Sequence, residues 1–158
     1  MRICQEFASL NRQTIADKII KCIGVNNVSQ FETVHNFIDD KNIIRKGSIP
    51  AYKGQKVIIP MNMRDGCLVA VGKGNEDWNY SAPHGAGRLF KRSETHDLIS
   101  MEEYSEQMKG IYSSTVNEHS LDEAPLAYKP MKEIIDLIGD TVEIIDIIKP
   151  IYNFKAEK

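Results

Sequence analysis

Cysteine is sparse in this 158-residue chain: three residues, Cys4, Cys22 and Cys67, widely spaced and forming no Cys-x-x-Cys pair. That pattern excludes a disulfide framework and a structural zinc site of ordinary spacing, and it predicts a reducing, cytoplasmic setting. Long hydrophobic runs are missing too. No stretch approaches the roughly 18 apolar residues of a membrane span, so neither an anchor nor an export signal is expected. An excess of positive charge is also lacking: 20 Lys and Arg stand against 22 Asp and Glu, a formal net charge of −2. Binding to nucleic acid through bulk charge is thereby excluded, and any such contact falls to a local basic patch. Arg88, Lys91 and Arg92 form the best one. There is no internal repeat, low-complexity tract or linker, and the length suits one domain with a proper core.

What is present centres on Trp78 to Arg92, WNYSAPHGAGRLFKR. His84 stands directly before Gly85, Ala86 and Gly87, with Arg88 and Arg92 just beyond. Glycines flanking an alanine let a backbone approach a phosphate closely and turn its N–H groups inward. Arg88 and Arg92, four residues apart, would share one face of a following helix and offer forked donors to further phosphates. A histidine beside such a cradle can attack phosphorus, bind a metal or donate to an anion. The bland alternative is a tight turn carrying a hydrogen-bonded histidine.

The remaining chain reads as α+β, a mixed sheet with flanking helices. Ile3, Phe7, Leu10, Ile15, Ile19 and Ile23 recur at helical spacing from Met1 to the stop at Gly24. A strand is expected over Phe31–Ile38, carrying His35-Asn36; the latter pair reads by default as interior residues. The Arg45-Lys46-Gly47 cluster is either a solvated turn or a phosphate contact. Two apolar strands, Lys56–Pro60 and Cys67–Val71, are linked by Arg64-Asp65-Gly66, and Cys67 reads as a small buried residue. Gly72-Lys73-Gly74-Asn75 does not fit a P-loop, which requires Gly-Lys-Ser/Thr at a helix start. Ser100 with Glu103 makes a capping box for a helix over Met101–Lys109. A second helix is expected over Pro130–Ile138 before Gly139, then a β-branched strand over Thr141–Ile148 and an extended edge from Tyr152 to Lys155.

Together these motifs resemble the RtcB family of RNA-splicing ligases. The match rests on His-Gly-Ala-Gly-Arg with a second Arg four residues on, the preceding Gly-x-Gly-Asn, the downstream Ala-Pro-x-x-Tyr-Lys, and Lys-Pro-Ile ahead of a near-terminal lysine. His35-Asn36, Arg45-Lys46-Gly47 and the Ala8–Arg12 stretch fall in the family's order upstream. The resemblance spans essentially the whole chain and places it as the C-terminal third of the larger RtcB-like fold.

The resemblance implies a GTP-dependent, manganese-requiring ligase. It would join an RNA 3′-phosphate or 2′,3′-cyclic phosphate to a 5′-hydroxyl end. His84 is implied as the nucleophile that becomes guanylylated, with Gly85, Ala86 and Gly87 lining the GMP phosphate and sugar. Arg88, Arg92 and Lys46 are implied to hold RNA phosphates, and His35 to be a metal ligand. Tyr128 is implied to stack on the nucleotide and Lys155 to read guanine. Asn62 and Cys67 stand where the family offers serines to GMP, and of the two Asn62 can still donate. The family's other metal motifs do not occur here: an aspartate with Cys-Gly three residues on, Asn-His-Phe, and a histidine near Gly-Ser-Arg-Gly. They are expected upstream of Met1 or on a separate chain. Two readings follow, a ligase needing that upstream half and an inactive GMP- or RNA-binding remnant. A phosphohistidine carrier on the same His-Gly turn is a third.

Overall fold

The computed structural model describes residues 2–26 and 28–154. Helix α1 (Arg2–Ile23) forms as its periodicity predicts, and Gly24 ends it. None of its residues is buried, and Ile3, Phe7, Leu10, Ile15, Ile19 and Ile23 are all half exposed or more. Polar ties hold it instead. The Gln5 amide exchanges hydrogen bonds with the backbone of Ile38 at 3.1 and 3.0 Å, and Arg12 pairs with Glu32 at 2.8 Å.

The strand expected over Phe31–Ile38 does not form. Only Phe37–Ile38 (β1) pairs, antiparallel to Ile44–Arg45 (β2). Two local features stop the ladder. The Ile58 N–H, on the edge of the main sheet, donates to the Thr33 hydroxyl at 3.0 Å, and Asn36 takes a left-handed φ of 58°. Ser48–Pro50 (β3) then pairs with Ser81–Pro83 (β6).

The main sheet joins Lys56–Asn62 (β4), Gly66–Gly72 (β5) and Val142–Ile148 (β8), antiparallel in the order β4-β5-β8. Burial alternates as a half-covered sheet requires: Val57, Ile59 and Met61 on β4 and Leu68 and Ala70 on β5 face inward. Helix α4 (Met131–Ile138) covers that face through Ile134 and Ile138. Pro130 precedes this helix at its cap rather than entering its first turn. The β4–β5 link is organised by Asn62, whose side-chain oxygen accepts from the N–H groups of Arg64 and Asp65 at 3.0 and 2.8 Å. Gly66 is obligatory there, with φ of 84° and a position where a Cβ would lie 2.0 Å from the Ile148 carbonyl.

A second apolar cluster gathers Met63, Ile99, Tyr104, Met108 and Leu121 around α2 (Arg92–Leu98) and α3 (Met101–Gln107). The predicted capping box is present: Glu103 N–H donates to the Ser100 hydroxyl at 3.2 Å, and Ser100 N–H donates to Glu103 at 2.9 Å. Short 3-10 turns at Glu118–Glu123 and Pro125–Ala127 return the chain, and Tyr112–Ser113 (β7) pairs in parallel with Tyr152–Asn153 (β9). The fold is α+β, as expected, and the β7–β9 pair is the parallel exception among antiparallel neighbours in the described residues. Among those residues no helix is long and apolar enough to cross a membrane. Tyr128 packs against both apolar clusters, so the seam between them runs beside it.

A charged group is buried as well. Arg45 is 2% exposed. Its guanidinium donates to Asp39 at 2.6 Å, to Ser81 Oγ at 2.8 Å, and to the carbonyls of Asn79 and Tyr80. The Tyr52 hydroxyl also donates to Asp39, at 2.6 Å. Burial pushes the Asp39 carboxyl up, but the hydrogen bonds from Arg45, Tyr52 and the Ile43 N–H, with the Arg45 charge, outweigh it and hold the group down to about 2.

A depressed carboxylate stabilises the fold above its unfolded pKa, and that contribution is lost as pH falls through the folded value. Denaturant unfolding should therefore show about 2 kcal/mol of stability lost between roughly pH 4 and pH 2 from this group. Asp39→Asn should remove that pH dependence and, by leaving Arg45 buried without its counter-charge, destabilise the protein at neutral pH by about 3 kcal/mol. Gly66→Ala should destabilise by at least about 2 kcal/mol, since it adds backbone strain to a clash with β8; an unchanged unfolding midpoint would contradict the geometry.

Candidate active site

The β3–β6 pairing places His84, one residue past β6, beside Gly47, one residue before β3. His84 Nδ1 lies 2.7 Å from the Gly47 carbonyl oxygen. A carbonyl only accepts, so Nδ1 carries a proton, and in the neutral ring Nε2 keeps its lone pair. Gly47 is fixed in turn by its N–H donating to the Asn36 side chain at 2.7 Å. The His35 ring stacks on that of His84 with centroids 4.9 Å apart and an interplanar angle of 21°. The His35-Asn36 pair thus contributes one ring against the candidate nucleophile and one amide behind it.

Beyond His84 the chain presses onto β4. Ala86 is buried and its N–H donates to the Pro60 carbonyl at 3.2 Å. A Cβ on Gly85 would come within 3.1 Å of that same oxygen. Because the Ala86 N–H is engaged, a backbone contact to phosphate from this turn falls to the flanking glycines.

A cleft of about 700 Å³ opens beside the turn. His84, Gly85, Ala86, Gly87, Arg88, Arg92, Asn62 and Tyr128 all line it, so eight of the residues singled out from sequence converge on one cavity. Cys67 lines it as well, half-buried, and burial pushes its thiol pKa up.

The arginines do not behave as one pair. The chain runs extended through Arg88, which bridges to Tyr128, and α2 starts only at Arg92; the two share no helix face. Arg88 knits the seam together: it donates to the Phe90 carbonyl at 3.2 Å, the Tyr128 hydroxyl at 3.3 Å, the Thr95 hydroxyl at 3.1 Å and the Asp122 carbonyl at 2.5 Å. Its guanidinium sits 5.1 Å from the Tyr128 ring centroid. Arg92 is exposed and pairs with Asp122 at 3.7 Å and Glu123 at 3.2 Å. Tyr128 donates to Glu123 at 2.5 Å. Burial, then the hydrogen bond to Glu123 and its charge, push the Tyr128 hydroxyl up to about 12, so it remains a donor at neutral pH.

Asn62 spends one N–H on Asp65 at 2.8 Å and its oxygen on the β4–β5 turn. Lys46, exposed between Arg45 and Gly47, does not line this cleft, and Lys155 lies outside the described residues. Sequence reasoning did not assign Asn36, Glu123 or Asn153. The first was legible only as half of His35-Asn36 and the second only as an acidic turn. Asn153, which lines the cleft and donates to the Met63 carbonyl at 2.8 Å, carried no signal in its neighbourhood.

Metal fits the chain poorly. Among the described residues no group of three or more His, Cys, Asp or Glu side chains could hold an ion. His35 and His84 meet ring to ring without a third ligand, so these residues do not by themselves make a manganese site.

Comparison with known proteins identifies the family. The profile of the family described as tRNA-splicing ligase RtcB matches residues 1–156. The RNA-splicing ligase RtcB of Escherichia coli (strain K12) is 28% identical over 170 residues, covering 96% of this chain and 41% of that protein. The tRNA-splicing ligase RtcB of Nanoarchaeum equitans is 30% identical over 175 residues, 85% of this chain and 36% of the relative. That of Aeropyrum pernix is 36% identical over 86 residues, or 51% and 18%. The chain thus spans about two fifths of the length of the Escherichia coli relative. The profile match over residues 1–156 establishes that this chain belongs to the RtcB family.

Proposed function

We propose that this chain is the nucleotide-transfer portion of an RtcB-type RNA ligase, joining a 3′-phosphate or 2′,3′-cyclic phosphate end to a 5′-hydroxyl end. The observation that carries the reading is the His84 tautomer: Nδ1–H is committed to the Gly47 carbonyl, leaving the Nε2 lone pair as a nucleophile. Nε2 would form a bond to the α-phosphorus of GTP while the bond to pyrophosphate breaks and the leaving group takes that electron pair. An oxygen of the RNA 3′-phosphate would next attack the same phosphorus and return the N–P pair to His84. The 5′-hydroxyl oxygen would then attack the RNA phosphate, losing its proton as GMP departs. A cyclic phosphate would first be opened by water to the 3′-phosphate.

The residues of the cleft suit the nucleotide. Tyr128 offers a ring face for the base and Arg92 a cation for phosphate. Gly85 and Gly87 leave the backbone approachable on both sides of the anchored Ala86. Lys155 is proposed to read a guanine acceptor edge, as a lysine donor can. Manganese would neutralise phosphoryl charge during transfer. His35 would supply one ligand, and the rest would come from a separate chain or segment carrying the upstream half. The uncovered apolar residues of α1 support such a partner. The shortage of metal ligands equally favours a second reading, an inactive GMP- or RNA-binding remnant.

Guanylylation separates the two. Purified chain is incubated with labelled GTP and Mn²⁺, alone and with the portion of the Escherichia coli relative that this chain does not match. A covalent GMP adduct is expected in the mixture and absent with His84→Ala; no adduct under either condition would establish the remnant instead. Asn36→Gly, which keeps the left-handed backbone but removes the amide, should slow adduct formation roughly tenfold or more by releasing the Gly47 carbonyl that orients the ring, while leaving the unfolding midpoint near wild type. An equal rate would show that Asn36 does not position the histidine.

A further inference from the structure

The His84–Gly87 turn is also a wall of a second cleft, of about 590 Å³. The two cavities differ in chemistry. The nucleotide cleft contains Glu123 beside its arginines, whereas among the described residues no Asp or Glu lines the second. The charged residues lining it are Arg45 and Lys129, and Arg45 is already met by Asp39. Lys46 stands exposed between two of its lining residues, Arg45 and Gly47. Of the three cations expected to meet RNA phosphates, Arg88 and Arg92 therefore belong to the first cleft and Lys46 lies beside the second.

The second cleft also holds an aromatic platform. Trp78 lines it and is 57% exposed, unusual for the largest apolar side chain. It is presented on a single 3-10 turn, Glu76–Trp78, capped by the Asn75 side chain; the Asn75 amide also donates to the Asp140 carbonyl at 3.1 Å. Glu76 and Asp77 sit on the same turn but do not line the cleft. An exposed ring, a lysine in the lining with a second beside it, and a lining without acids among the described residues suit single-stranded RNA: a base stacks on the ring while cations track the backbone. Duplex RNA, with its bases already stacked, could not use the ring.

We propose that this second cleft seats a single-stranded RNA end, with an unstacked base on Trp78 and the adjoining phosphates near Lys46 and Lys129. The nucleotide and the RNA would then reach His84 from two cavities separated by one turn. This rests on the ligase reading for its chemistry but not for its test.

Trp78 is the chain's single tryptophan and lines the second cleft but not the first, so its emission reports one cavity. With excitation at the red edge, titration with a short 3′-phosphorylated single-stranded oligoribonucleotide at low salt should quench Trp78 saturably, and GTP should not. Binding of a labelled copy of that RNA, read by anisotropy, should weaken roughly tenfold in Trp78→Ala and stay near wild type in Trp78→Phe. Lys46→Ala should weaken it further and flatten its salt dependence. RNA binding without a change in Trp78 emission, or no RNA binding, would overturn the proposal. So would a response to the unmatched portion of the Escherichia coli relative but not to RNA, which would make the cleft a protein-docking groove. A quench without any guanylylation would fell the ligase reading and leave this seat standing; guanylylation without a quench would do the reverse.

Discussion

The site depends on a buried charge that takes no part in it. Arg45 links the turn after β1, through Asp39, to the start of β6, through Asn79, Tyr80 and Ser81. Those are the two segments whose ends must meet for the Gly47 carbonyl to reach His84. Desolvating a guanidinium is unfavourable unless its donors are matched, and here they meet a carboxylate, a hydroxyl and two carbonyls. The geometry of the nucleophile follows from that matching. A hydrogen bond of 2.7 Å between a solvent-exposed ring and a loop carbonyl would otherwise have little to keep it in register.

The same economy runs through the arginines of the seam. Arg88 has five N–H donors in a rigid fork, and four hydrogen bonds to protein atoms use most of them. It fixes Tyr128 from above and ties α2 and the Glu118–Glu123 turn to the bridge, which makes it a framework for the cleft more than a free clamp. Arg92 is the exposed counterpart: paired to two carboxylates and screened by salt. An incoming phosphate would compete with Asp122 and Glu123 for it. Release of Glu123 from Arg92 would also alter the electrostatics next to the Tyr128 hydroxyl, so on the ligase reading phosphate and base recognition would be linked through a single carboxylate.

Local physics was readable in the sequence wherever neighbours in the chain decide the outcome. The strands β4 and β5, the Ser100 capping box and the glycine between Asp65 and Cys67 all followed from residues within a few positions, although the alternating burial of the strands did not. The strand over Phe31–Ile38 was misread because its β-like residues face no partner strand, and Thr33 bonds the sheet edge with its side chain instead of its backbone. The helix expected to carry both Arg88 and Arg92 failed for a related reason: Arg88 is held extended by its bridge to Tyr128, forty positions along. Arg45-Lys46-Gly47 read as one basic turn but splits into three jobs, a buried tie, an exposed cation and a carbonyl acceptor. Only contacts across the fold could divide them. His84, its glycines and Tyr128 were legible through the family resemblance, and the structure brings them to one cavity without the resemblance being used.

Helix α1 and the metal ligands raise one problem from two directions. A helix of 22 residues is marginal in water without an apolar face to bury, and α1 buries none of its residues. Its polar ties at Gln5, Ser9 and Arg12 all lie in the first half, while Ile15, Ile19 and Ile23 continue the stripe beyond them. Separately, His35 touches the candidate nucleophile but finds no third ligand among the described residues. On the ligase reading, a single contribution would resolve both: a neighbouring segment that covers the stripe with apolar surface and carries carboxylate, thiolate or imidazole ligands able to share a metal ion with His35. The linkage is physical. The Gln5 amide bonds Ile38, which lies three residues from His35, so whatever docks on α1 bears on the backbone that sets that ring against His84. Metal recruitment and helix coverage would then be one binding event, and the uncovered helix would be the measure of how far the site is from assembled.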